Sequence, residues 1–155
     1  MNKNSNLGIF LLSFLLICFL IIFFINLFFF HKRGDANFKN AEINGFSFQV
    51  EIAQTIQEKT KGLSEREEIQ EGQGMFFIFK KAGYHPFYMR NMKFDLDIIW
   101  LDENFKVTEI TNNISSNSYP KIFKSLNPIK YVLEVKAGWS KRHQIKEGDY
   151  LIIKN

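Results

Sequence analysis

Phe46-Ser47-Phe48-Gln49-Val50-Glu51-Ile52 is the stretch that decides the fold class. Its apolar members, Phe46, Phe48, Val50 and Ile52, fall on one side of an extended chain, and Ser47, Gln49 and Glu51 fall on the other. That period of two predicts a half-buried strand. Working outward, Thr55 can cap a short helix from Ile56 to Lys61, which Gly62 can end. Glu65 to Gly74 is polar and loop-like, and Met75 to Phe79 is a short apolar run suited to a buried strand. Phe87 to Met89 and Leu96 to Leu101 are further strand candidates. Asp102-Glu103-Asn104 gives a three-residue turn signal, with Asn104 tolerating a left-handed conformation, after which Phe105 to Ile110 returns as a hairpin partner. Thr111 to Asn127 is a long polar connection. Ile129 to Val135 is a strand, Ala137 to His143 suits a short helix, and Gly148-Asp149 turns the chain into a last strand, Tyr150 to Ile153. The sum is a mainly β (α+β) domain with two short helices. A small, partly closed β-barrel is the favoured architecture, because closure removes exposed strand edges.

The chain has 155 residues, and its beginning is of another kind. Residues 7–30 contain no charge, and Ser13 and Asn26 are their only polar interruptions. As one helix they would measure about 36 Å, against a hydrocarbon core of about 30 Å. This predicts a single transmembrane helix contacting membrane lipid, with a tail over 1–6, a tether over 31–44 and a folded domain over 45–155. The run is longer than a signal-peptide core and lacks a small-residue cleavage site. Lys32 and Arg33 on one flank oppose Lys3 and the α-amino group on the other, so charge leaves the orientation balanced.

Lys3, Lys32 and Arg33 supply three of the four net positive charges, which leaves the domain near neutrality. It therefore lacks the basic stripe of a nucleic-acid binder. Cys18, the only cysteine, lies in the apolar run, so the domain offers no thiolate for a metal, a disulfide or a nucleophile. No His-Glu-x-x-His pattern and no Gly-x-Ser-x-Gly is present, and neither a metal nor a cofactor is expected. Asp95 and Asp97 sit two apart on a strand candidate and could share a face. Asp97 reads either as an acid/base group or as a buried carboxylate paired with Arg66 or Arg90. Arg90-Asn91, after Phe87-Tyr88-Met89, could bind a carboxylate or carbonyl beside an aromatic wall, or form a turn with Arg90 paired to Asp97 or Glu134. Glu134 faces away from Tyr131, Leu133 and Val135. His85 and His143 are isolated and read as packing or surface residues.

Several short motifs recur in a recognisable order. They are Gly62-Leu63 with Arg66, Gly74-Met75-Phe76-Phe77-Ile78-Phe79, Phe87-Tyr88-Met89-Arg90-Asn91, and Leu96-Asp97-Ile98-Ile99-Trp100. Tyr131-Val132-Leu133-Glu134-Val135 with Ala137-Gly138, then Ile145 with Gly148-Asp149, complete the set. Over Phe46 to Ile153 the chain resembles the domain of unknown function family 192, an uncharacterised prokaryotic family. It departs from the pattern at Ser64, Arg90, Met92 and Asp95. Met92 brings no hydroxyl where the family commonly has threonine. The resemblance implies a compact, mostly-β domain and no established activity. Many relatives look exported or tethered, which implies an extracytoplasmic domain on the cytoplasmic membrane.

Three functional readings follow. The first is a non-enzymatic module binding a small molecule or peptide through Arg66, Tyr88, Met89, Arg90, Asn91, Asp97 and Glu134. The second is an envelope hydrolase using Asp97 or Glu134. The third is an interaction module that docks on a membrane complex through Thr111–Asn127.

Overall fold

A computed structural model describes residues 14–25 and 38–154. The chain divides into two compact units, Met1–Ala36 and Asn37–Asn155. In the first, residues 14–25 are helical. Among the described residues no helix is long and apolar enough to cross a membrane. The expected span over 7–30 extends past the described residues on both sides, and the tail over 1–6 lies wholly outside them.

The second unit is built on seven strands: β1 (Phe38–Ile43), β2 (Phe46–Ala53), β3 (Gln73–Gly83), β4 (Leu96–Leu101), β5 (Val107–Ile114), β6 (Ile129–Lys136) and β7 (Leu151–Lys154). Two short α-helices accompany them, α1 (Ile56–Lys61) and α2 (Trp139–Arg142), with a 3-10 turn at Ser116–Ser118. They form one sheet in the order β5-β4-β6-β3-β2-β1-β7. Only β2 and β3 pair in parallel, joined through α1. The two outer strands approach each other where Lys106 pairs with Tyr150, Val107 N–H donates to the Asp149 carbonyl at 2.8 Å and Leu151 N–H to the Phe105 carbonyl at 3.0 Å. The sheet thus curls into a partly closed, half-barrel form, as the strand-rich pattern predicted.

Alternation along the strands sorts the apolar side chains into two cores. The inner one holds Phe48, Val50, Phe76, Ile99, Leu133, Val135 and Trp139. Phe105, Tyr131 and Phe76 stack there in sequence, with ring centroids 4.4 and 5.4 Å apart. The outer core holds Met75, Phe77, Ile98, Trp100 and Val132 under a cover of Leu63, Ile69 and Met89. β4 is buried along its whole length because each of its faces meets one of these cores. The predicted helix over 56–61 forms, held by a capping box. The Thr55 hydroxyl accepts from Glu58 N–H at 3.2 Å, and the Glu58 carboxylate accepts from Thr55 N–H at 2.8 Å.

β3 runs longer than expected, from Gln73 to Gly83, and four further elements differ from the sequence expectation. Residues 38–43, assigned to the tether, form β1, which sits between β2 and β7. Its polar members mask it, since Asn40 and Glu42 lie on the face opposite the buried Ala41 and Ile43, and Lys39 interrupts the buried face. Phe87–Met89 makes a single bridge, from Phe87 to Phe123, in place of a strand. The left-handed residue of the turn is Phe105 (φ 62°), not Asn104, because the stack on Tyr131 holds its ring. The Asp102 carboxylate then accepts from Asn104 N–H at 2.8 Å and Lys106 N–H at 3.0 Å. β5 continues through Ile114, into the stretch read as a loop. Its polar side chains are accommodated by the outer face, with Trp100 Nε1 donating to Thr111 Oγ1 at 2.9 Å.

Candidate functional site

Glu134 sits on β6 opposite Met75 of β3 and Ile98 of β4, on the face that turns toward the outer core. It is buried. Its carboxyl lines a cavity of about 290 Å³ whose walls include Leu63, Phe77, Phe87, Tyr88 and Met89. The carboxyl has no hydrogen-bond or ion-pair partner among the described residues. Burial pushes it up to about 8, with the positive charge of Arg66 pulling part of the way back. An ionised carboxylate loses hydration in such a setting and gains no partner, so the neutral acid is favoured. At neutral pH Glu134 is a carboxylic acid, able to donate one hydrogen bond and to accept others.

The local sequence builds this cavity. Gly62 ends α1 with φ 50°, and the following residue, Leu63, is buried in the outer core. Lys59 lies on the wall, but its ammonium is held by the carbonyls of Gln54 and Ile78 at 2.7 and 2.8 Å, with the Phe79 ring 5.1 Å away. It shapes the wall more than it serves a ligand. His85 stacks on Phe79 at 3.6 Å, a packing role as expected, though it also lines the cavity. Gly74 sets how closely β3 approaches β6. A Cβ there would lie 3.0 Å from the Glu134 carbonyl oxygen and 3.1 Å from a Val135 methyl. Gly74→Ala is therefore expected to destabilise by about 1–3 kcal/mol, read as a lowered urea midpoint. An unchanged midpoint would show that the two strands can part freely.

The structure scatters the other candidate residues. Arg66 pairs with Glu51, not with Asp97, through two hydrogen bonds of 2.7 and 2.9 Å. This pair is partly solvent-exposed and is worth on the order of 1 kcal/mol. Arg90 pairs with neither Asp97 nor Glu134; its guanidinium lies 5.7 Å from the Tyr88 ring centre at the surface. Asn91 turns the chain with φ 56° and lines, with Arg90, a shallow cleft beside the cavity. Met89 is a core residue that also forms cavity wall.

Asp97 is fully buried, and no arginine holds it. One carboxylate oxygen accepts from Asn113 N–H at 2.8 Å and Gly138 N–H at 3.1 Å, and the other accepts from Ser140 N–H at 3.0 Å. Main-chain dipoles replace the expected cation. Both oxygens are engaged and none faces solvent, so Asp97 is not placed to act on a substrate. Asp95, exposed, accepts from Ser116 N–H at 2.7 Å. The two aspartates thus grip the segment after β4 from separate points. Nothing in the local pattern marked Glu51 as the arginine partner. It did carry the sign for Glu134, since alternation put this residue on the face of Val132.

Among the described residues no group of His, Cys, Asp and Glu is placed to hold a metal ion. Solved structures share the fold. A protein of Sinorhizobium meliloti described as a candidate transcription regulator is 25% identical, with 78% of this chain and 97% of that one covered and a TM-score of 0.74. A protein of unknown function from Novosphingobium aromaticivorans is 29% identical, covering 74% of this chain and 84% of that one, with a TM-score of 0.70. No curated protein matches the chain. The family profile described as an uncharacterized ACR matches residues 39–153, from the second residue of β1 to the third of β7. The chain belongs to the domain of unknown function family 192.

Proposed function

We propose that this protein is a membrane-anchored binding module whose cavity takes a small, largely apolar molecule that hydrogen-bonds to Glu134. The observation that carries the reading is the Glu134 carboxyl itself. It is buried, lines a cavity with aromatic and aliphatic walls, and has no partner among the described residues. A buried polar group is ordinarily satisfied, so one left open toward a cavity marks where a ligand group belongs. The anchor rests on the charge-free run over 7–30. The extracytoplasmic side rests only on what the family resemblance implies.

Primary amides with an apolar body, such as hexanamide and benzamide, match this chemistry and serve as probes. At a concentration one hundred times its Kd, a ligand raises stability by about 2.7 kcal/mol, read as a higher melting temperature. The gain should fade above pH 8, as Glu134 ionises, and persist there in Glu134→Gln. Binding that ignores both changes would place the ligand elsewhere, and no stabilisation by any such compound would sink the reading.

A second reading is favoured by the pKa near neutrality. A carboxyl poised there is suited to general acid work, which keeps an envelope hydrolase using Glu134 in view.

A further inference from the structure

We propose that the surface formed by residues 84–90 and 119–126 docks on anionic lipid headgroups. Tyr119, Ile122 and Leu126 enter the interface, and Lys121 and Lys124 meet the phosphates. The main-chain pair of Phe87 and Phe123, at 2.9 and 2.8 Å, fixes the two segments side by side. Tyr88 and Tyr119 then lie with ring centres 6.1 Å apart. Tyr119 is 52% exposed, Ile122 56% and Leu126 80%. The loop is pinned while these side chains point outward, because the Glu109 carboxylate accepts from Leu126 N–H at 2.7 Å. Large apolar side chains held exposed along one pinned loop mark a contact surface.

Charge selects the occupant. No Asp or Glu occurs from Ile110 through Leu133, whereas Lys121, Lys124 and Lys130 do, and the carboxylate that reaches the loop, that of Glu109, is held by Leu126 N–H. Lys121 lies 5.1 Å from the Phe123 ring centre, and neither it nor Lys124 has a carboxylate partner among the described residues. Aromatic, aliphatic and cationic side chains interleaved on one loop form the composition of an interfacial membrane contact. Residues 31–37 separate the apolar run from β1. Fully extended they reach no more than about 25 Å, so an anchored chain keeps its domain within reach of the bilayer. Only this proximity rests on the anchored reading.

The test uses the full-length chain with Ile122→Trp or, separately, Leu126→Trp as reporter. Ile152→Trp, at a position 53% exposed on β7, is the comparison. The native Trp100 and Trp139 are fully buried and give a constant background. Vesicles of phosphatidylcholine and phosphatidylglycerol carry bromine on their acyl chains to quench any tryptophan that reaches them. Quenching is expected at 122 and 126 and not at 152. Lys121→Gln with Lys124→Gln should lower the docked-to-free ratio about 25-fold, roughly five-fold per lysine. No quenching at 122 and 126, equal quenching at 152, or the same result in purely neutral lipid overturns the proposal. So does release of the loop from anionic vesicles by duplex DNA. Flotation after carbonate extraction reports the anchor by itself. A chain that fails to float yet is quenched at 122 when vesicles are added loses the anchor and keeps the docking surface.

Discussion

Asp97→Ala is expected to destabilise the domain by about 3–5 kcal/mol, the largest effect of any single truncation considered. The substitution leaves the N–H groups of Asn113, Gly138 and Ser140 without their acceptor. Each unsatisfied buried donor costs about 1–3 kcal/mol. The three donors belong to β5, to the turn before α2 and to α2 itself, so their loss loosens elements distant in sequence at once. Gly138 adds to this, since its φ of 78° is a left-handed conformation that the Asp97 contact helps to hold. Asp97→Asn keeps an acceptor for Asn113 and Gly138 N–H but turns an amide donor toward Ser140 N–H, so it should recover only part of the loss. Urea denaturation gives the difference, and hydrogen exchange at the three amides locates it. A loss below about 1 kcal/mol for Asp97→Ala would mean that the site relaxes around water and that the aspartate is not what joins these segments.

The stability of the protein should fall as pH rises from about 5 to above 8, and Glu134→Gln should abolish most of that fall. The folded-state pKa of Glu134 is raised to about 8 from the ordinary 4.5. Between those values the folded chain holds a proton that the unfolded chain releases, so folding weakens as pH increases. The stabilisation is complete below the unfolded pKa and lost as pH passes the folded one. At about 1.4 kcal/mol per pH unit, the full loss is on the order of 5 kcal/mol. Gln is nearly isosteric and stays neutral, so the variant should be the more stable protein above pH 8 and comparable to it near pH 5. Chemical denaturation across this range measures the difference. The infrared carbonyl band of a protonated carboxylic acid, present at pH 7 and missing in the variant, identifies the group. Parallel pH profiles for the two proteins would show that Glu134 is ionised throughout.

The strand pattern was legible because alternation is a local property. Phe46 to Ile52 and Ile129 to Val135 declare their faces through their own neighbours, the unbroken apolar run Ile98 to Leu101 declares a strand buried on both sides, and Thr55 with Glu58 declares the start of α1. β1 escaped notice because its three apolar residues, Phe38, Ala41 and Ile43, do not alternate with its polar ones. Its place between β2 and β7 comes from main-chain pairing to both, which residue types do not encode. The extension of β5 through Thr111 to Ile114 escaped for a similar reason. Its polar residues meet Trp100 and Asp97, partners that only the folded sheet supplies.

The candidate site divides in the same way. Alternation alone placed Glu134 on the face opposite Tyr131, Leu133 and Val135, and the charge-free run over 7–30 is a statement of composition that needs no fold. Which carboxylate stays open and which is filled was settled by contacts between distant segments. Asp97 met three main-chain donors carried by β5 and the start of α2, whereas Glu134 met apolar walls from β3, the end of α1 and the 85–92 segment. Arg66 was drawn to Glu51 on β2. Periodicity reports the side of a strand on which a side chain lies. What waits on that side depends on how the other strands and loops are brought together, and for these charged residues that decides between a structural clasp and a binding group.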